Sequence, residues 1–277
     1  MRILRSYLPA LFAIGLGVWT MSEPVALPAA PAPAKPATGS NFSKIAGALM
    51  PNVPQGVVQP EAMDALKKMS KYLMSLNTLQ ISSEASIDMV TNDGQRIQMD
   101  GTSEYKVKRP GFVIHFVSDS KSRDFYYDGK QFTLYSPNLG YYATVAAPAT
   151  NREVLDKLYE NFGIRLPLED LFRWNDVGND RAKNFKSAMV VGPVTLDGVK
   201  TMHYAFREPE VDWEIWIQDG DQPLPRKLAI VDRTNPSRPT FTSRLSWTVN
   251  PTFKDSDFTF TPGADAKKIQ LATFKGQ

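Results

Sequence analysis

His115 and His203 are the only two histidines in this 277-residue chain, and it has no cysteine. Thiol nucleophiles, thiolate metal sites, disulfides and a lipid-modified N-terminal cysteine are therefore excluded. Each histidine falls in a predicted strand among apolar or aromatic neighbours, without the His/Asp/Glu spacing of a metal site or a paired general base. Both are read as structural. Asp212 and Glu214 stand two residues apart, so on a strand they share one face, opposite Trp213, Ile215 and Ile217. A glycosidase-like pair would need both carboxyls partly buried beside a sugar, whereas a solvated strand face needs only the alternation. Glu169-Asp170 reads as first-turn stabilisation of a short helix. No Gly-x-Ser-x-Gly elbow, phosphate loop or dinucleotide fingerprint is present. The expectation is a protein without catalysis, cofactor or metal; a hydrolase using scattered carboxylates such as Asp212 and Glu214, or His203, is an alternative.

The aromatic residues offer a different chemistry. Phe112, Phe116, Tyr127, Tyr135, Trp174, Tyr204, Phe206 and Trp213 are spread over nearly every element and are the candidate ligand contacts. They either form ordinary core between sheet and helices or line a cavity that the helices cover without filling. Arg123, Arg207, Arg233 and Arg244 sit in or beside strands, available for surface ion pairs or for an anionic headgroup at a pocket mouth. A net charge of +3, scattered along the chain, gives no basic face for nucleic acid.

The elements that must position these side chains begin after a leader. Arg2 and Arg5 precede an apolar run over residues 7–21 and a small-residue stretch over 24–37, the order of an export signal. The run is shorter than the roughly 20 residues a membrane span needs. Residues 1–30 are thus expected to be a signal peptide, and 31–60 a Pro/Ala-rich disordered leader with at most a short helix over 42–49. From Pro60, the spacing of Met63, Leu66, Met69, Leu73 and Leu76 predicts an amphipathic helix to about Asn77. About six strands follow, with tight turns at Asn92-Asp93-Gly94 and Asp128-Gly129-Lys130. Thr150 or Asn151 caps a helix ended by Gly163, and Pro167 opens a second short helix containing Trp174. About six further strands run from Phe185, with Asp197-Gly198 as a turn and residues 258–260 as the last strand. Short turns predict an antiparallel, mainly β (α+β) domain over 61–265, a curved sheet or half-open barrel with helices on its concave side, then a tail over 266–277. A two-domain split near residue 175 is the alternative.

Asp197-Gly198, Trp213, Trp216-Ile217 and Pro223-Leu224-Pro225-Arg226-Lys227 together resemble a block that recurs in uncharacterised predicted periplasmic proteins. Those proteins look like relatives of the outer-membrane lipoprotein carrier and receptor, the LolA/LolB-like superfamily. The helix leading into SLNTLQISSEAS and the closing DSDFTFTPGAD are similar to the same pattern, over residues 61–265 in all. The resemblance implies a half-open antiparallel barrel whose apolar concavity accepts acyl chains. The expected protein is a periplasmic, monomeric binder or carrier of a lipid or acylated ligand. An envelope scaffolding module with a packed interior and a protein partner is the alternative.

Overall fold

The computed structural model describes residues 56–166 and 184–273. The expected signal peptide, the leader up to residue 55 with its short helix, the helix opened by Pro167, Glu169-Asp170 and Trp174 lie outside the described residues.

Helix α1 (Pro60–Ser75) starts with proline, whose missing N–H has no helical partner in the first turn anyway. Its stripe of Ala62, Met63, Leu66, Met69 and Leu73 is buried. The last turn has no basic residue of its own; Arg109, in the turn between Lys108 and Gly111, supplies one. Its Nε donates to Leu76 O at 2.9 Å and its Nη2 to Leu73 O at 3.2 Å. This sets a cation at the negative end of the helix, on carbonyls of its last turn and cap. Helix α2 (Asn151–Phe162) is capped by Thr150, whose side chain accepts from the Glu153 N–H. Gly163 at φ 64° ends it in the left-handed conformation, with Gly163 N–H bonded to Tyr159 O and Ile164 N–H to Leu158 O.

Six strands precede α2: β1 (Thr78–Val90), β2 (Arg96–Lys108), β3 (Gly111–Ser118), β4 (Ser122–Tyr127), β5 (Gln131–Ser136) and β6 (Tyr141–Ala146). Six follow it: β7 (Ser187–Leu196), β8 (Val199–Arg207), β9 (Val211–Gln218), β10 (Pro225–Asp232), β11 (Thr240–Val249) and β12 (Lys267–Lys268). All twelve belong to one open, curved sheet in the order β12-β6-β5-β4-β3-β2-β1-β11-β10-β9-β8-β7. The first strand is therefore central, and the two halves of the chain meet where β1 pairs with β11. The Asp197-Gly198 turn has positive φ at both residues, 50° and 79°, as the tight hairpin between β7 and β8 requires.

The β7 edge of the sheet is partly covered, which blunts edge-to-edge association. Residues 57–59 lie along β7: Gln59 N–H bonds Ala188 O at 2.8 Å and Ala188 N–H bonds Val57 O at 3.0 Å. β12 runs parallel to β6, an exception to the expected antiparallel pairing. The last strand is also not where the sequence places it. Residues 258–260 are not a strand; Asp255–Phe258 is a 3-10 helix. The Asp257 carboxylate accepts the Lys254 N–H at 2.9 Å and turns the chain. Phe260 then lies among Tyr126, Tyr135 and Tyr142, at ring-centroid distances of 5.3, 5.1 and 5.1 Å.

Alternation along each strand divides the sheet into two faces. On the inner face, the helices' buried residues and alternate strand residues form one hydrophobic cluster from α1 and α2 across to Phe132 and Phe206. Val113, Trp216 and Phe258, buried on the outer face, stand outside that cluster.

Candidate ligand-binding face

Seven of the eight candidate aromatics are described, and they fall into two groups and one outlier. Phe112, Phe116 and Tyr127 share the inner face of β3 and β4, with Phe112 and Tyr127 5.2 Å apart between ring centroids. Tyr204, Phe206 and Trp213 share the inner face of β8 and β9, where Phe206 and Trp213 stack at 4.2 Å. Tyr135 is on the outer face, against Phe260, because it pairs with Asp124 rather than with the inward Phe125. The sheet thus brings six of the candidates to one surface and sends Tyr135 to the other.

Two of the inner aromatics have their polar tips anchored. Trp213 Nε1 donates to the buried Glu208 Oε1 at 3.1 Å, and Tyr127 Oη donates to Pro148 O. Burial, followed by the charges of Asp128 and Glu153, pushes the Tyr127 phenol up to about 12. Tyr105, fully buried between the two groups, is pushed further up by burial, opposed by the nearby Ser103 side chain.

Between the aromatic groups the inner face changes character. Register places Ser83 opposite Ser103 and Ala85 opposite both Gly101 and Ser243. Ser83 and Ser243 are 3% and 1% exposed, and their hydroxyls bond each other at 2.8 Å. Small side chains therefore occupy the centre of the sheet, below the level of the aromatics on either side. Sequence reasoning missed these serines, since a serine between Ile81 and Ile87 carries no chemical signal; the period-two placement of Ser83 and Ala85 with those isoleucines was the available clue.

The structure also sorts the four arginines. Arg207 grips Asp212 with two bonds of 2.6 and 2.9 Å, joined there by Arg238 at 3.1 Å and Arg233 at 3.6 Å. Arg244 pairs with Asp197 at 2.8 Å. Arg123 is different: its Nη1 donates to Ser136 Oγ and Ser122 O, each at 2.7 Å. Its position opposite Phe116 puts it on the inner face.

The residues considered for acid–base chemistry all lie on the outer face. His115 Nδ1 is 3.0 Å from Asp124 Oδ1, and His203 Nε2 is 2.8 Å from Glu214 Oε2. His203 stacks on Trp216 at 4.0 Å, with Lys227 Nζ 4.3 Å from the same indole. Asp212 is enclosed by three guanidinium groups, so it and Glu214 belong to separate ion-pair systems. Among the described residues, no three His, Cys, Asp or Glu side chains gather as a metal site. A surface cavity of about 210 Å³ lies on this outer face, walled by Tyr126, Thr133, Tyr142, Thr144 and Phe260.

Among solved structures, the chain is similar to an uncharacterised conserved protein from Thermus thermophilus, with 10% identity over 76% of this chain and 99% of that one, at a TM-score of 0.45. It is similar to LprF from Mycobacterium bovis, at 13% identity, 76% and 100% coverage and a TM-score of 0.40. A LolA superfamily protein from Nitrosomonas europaea is 10% identical, with 72% and 97% coverage and a TM-score of 0.34. Likeness at this level says nothing of cargo. No curated protein matches the chain. The model of a family described as predicted periplasmic protein (DUF2092) matches residues 62–272, and the chain belongs to that family.

Proposed function

We propose that this protein is a non-catalytic periplasmic carrier that holds an apolar or lipid-like ligand against the inner face of its curved sheet. One observation carries the reading. Two groups of inward aromatics, at β3–β4 and β8–β9, flank a central floor of small residues, Ser83, Ala85, Gly101, Ser103 and Ser243. An acyl chain laid over that floor would meet aromatic walls at both sides, with no buried hydroxyl left unpaired at Ser83 or Ser243. Removal of each methylene from water yields about 0.8 kcal/mol, so a chain of a dozen carbons is held firmly yet reversibly. Periplasmic residence fits a hydrophobic cargo that must cross water between membranes. The paired and outward placement of both histidines supports the absence of catalysis.

Mass spectrometry of the protein purified from its native periplasm tests the proposal. The expected result is an apolar molecule retained under native conditions and lost on denaturation. A clean ligand-free mass, together with no uptake of fatty acyl probes, would overturn it.

A further inference from the structure

Arg123 occupies an unusual place for a guanidinium. Its strand neighbours on the inner face are Phe125 and Tyr127, and its cross-strand partner is Phe116. Its hydrogen bonds go to a serine hydroxyl and a backbone carbonyl, both neutral. Among the described residues no carboxylate faces it. The nearest acidic groups in sequence are turned elsewhere: Asp124 bonds His115 on the outer face, and Asp119 accepts the Asp100 N–H at 3.3 Å. Burial lowers the Arg123 pKa, and burial together with the Arg123 charge lowers that of Lys121. Among the described residues Arg123 itself pairs with no carboxylate, in contrast to Arg207, Arg233 and Arg244.

The surroundings are amphiphilic. Beyond Ser136 on the same row comes Tyr141, 40% exposed, and Leu139 in the adjoining turn is 62% exposed. On the other side, Phe116 leads to Ser103 and the small-residue floor. A cation thus stands between an exposed apolar rim and the interior surface assigned to an acyl chain.

From this placement we propose that Arg123 anchors the headgroup of the carried ligand, which is an anionic amphiphile: an acyl chain ending in a carboxylate or phosphate. This rests on the carrier reading above and adds the charge of the cargo. The planar guanidinium presents a donor fork to either anion, and the partly desolvated setting strengthens the pairing. Neutral lipids of the same length would occupy the floor without this contact.

The test compares dodecanoate, dodecyl phosphate and dodecanol at mildly alkaline pH, titrated into the full chain purified from the periplasm. Wild type, Arg123→Gln and Arg123→Lys are measured, each with its thermal unfolding recorded. Loss of a hydrogen bond to a charged group corresponds to roughly a 10- to 100-fold change in affinity. Arg123→Gln is expected to weaken dodecanoate and dodecyl phosphate by that factor and leave dodecanol unchanged, with Arg123→Lys intermediate. Equal weakening of dodecanol and dodecanoate, or a wild type that does not distinguish them, would overturn the anchor while leaving the carrier reading intact. Binding of none of the three would overturn the carrier reading itself.

Discussion

An interior meant for an acyl chain has to satisfy its own polar groups, and the Ser83–Ser243 pair tests whether this one does. The two hydroxyls bridge β1 and β11 diagonally, 2.8 Å apart, and water reaches neither to any extent. A buried hydroxyl pair contributes about 1 kcal/mol net, but a lone hydroxyl left behind loses its desolvation energy without return, about 1–3 kcal/mol. Ser83→Ala and Ser243→Ala should each destabilise by about 1–2 kcal/mol, and the double variant by no more than one of them. The coupling is then about 1–2 kcal/mol, read from urea unfolding followed by tryptophan fluorescence at unchanged slope. Single-variant losses that simply add would refute the reasoning, because they would mean that each hydroxyl is already served by water.

Three further outcomes follow from the packing. Leu66→Ala, at the centre of the α1 stripe, should cost about 2–5 kcal/mol by urea unfolding; a loss under about 1 kcal/mol would mean α1 is not seated on the core. Arg109→Met removes both bonds at the end of α1 but also relieves a partly buried charge, so a loss of about 2 kcal/mol is expected in thermal unfolding, and none would show the cap to be idle. The Tyr127 phenol, raised from 10.0 to about 12, favours the folded state while neutral. That contribution is complete below the unfolded value of about 10 and is lost as pH rises through the folded one. Tyrosinate absorbance should show one fewer late-titrating tyrosine in Tyr127→Phe than in wild type, Tyr105 titrating late in both; identical curves would contradict it.

Much of the architecture is legible in local patterns. The spacing of Met63, Leu66, Met69 and Leu73, the Thr150 cap and Gly163, and the Asn-Asp-Gly and Asp-Gly turns are short-range signals, and each marks the element found there. What eluded local reading is long-range. Phe258-Thr259-Phe260 alternates like a strand, yet Asp257 bonds back to Lys254 and the Phe260 ring packs among outer-face tyrosines rather than joining a ladder. Tyr135 looks like its neighbours Phe132 and Leu134, but its parity puts it on the other face. Both His–carboxylate pairs join neighbouring strands and depend on a register that no single segment encodes. Arg123 could be named only as one of four arginines until its partners were seen to be neutral.

The central claim is that a ligand lies on the inner face, over the small-residue floor between the two aromatic groups. A crystal structure of the protein grown with dodecanoate addresses it directly. The account predicts acyl density between Phe116 and Tyr204 above Ser83 and Ser243, with the head at Arg123. Density confined to the outer face, or an inner face closed by its own side chains with no void larger than a water molecule, would contradict it.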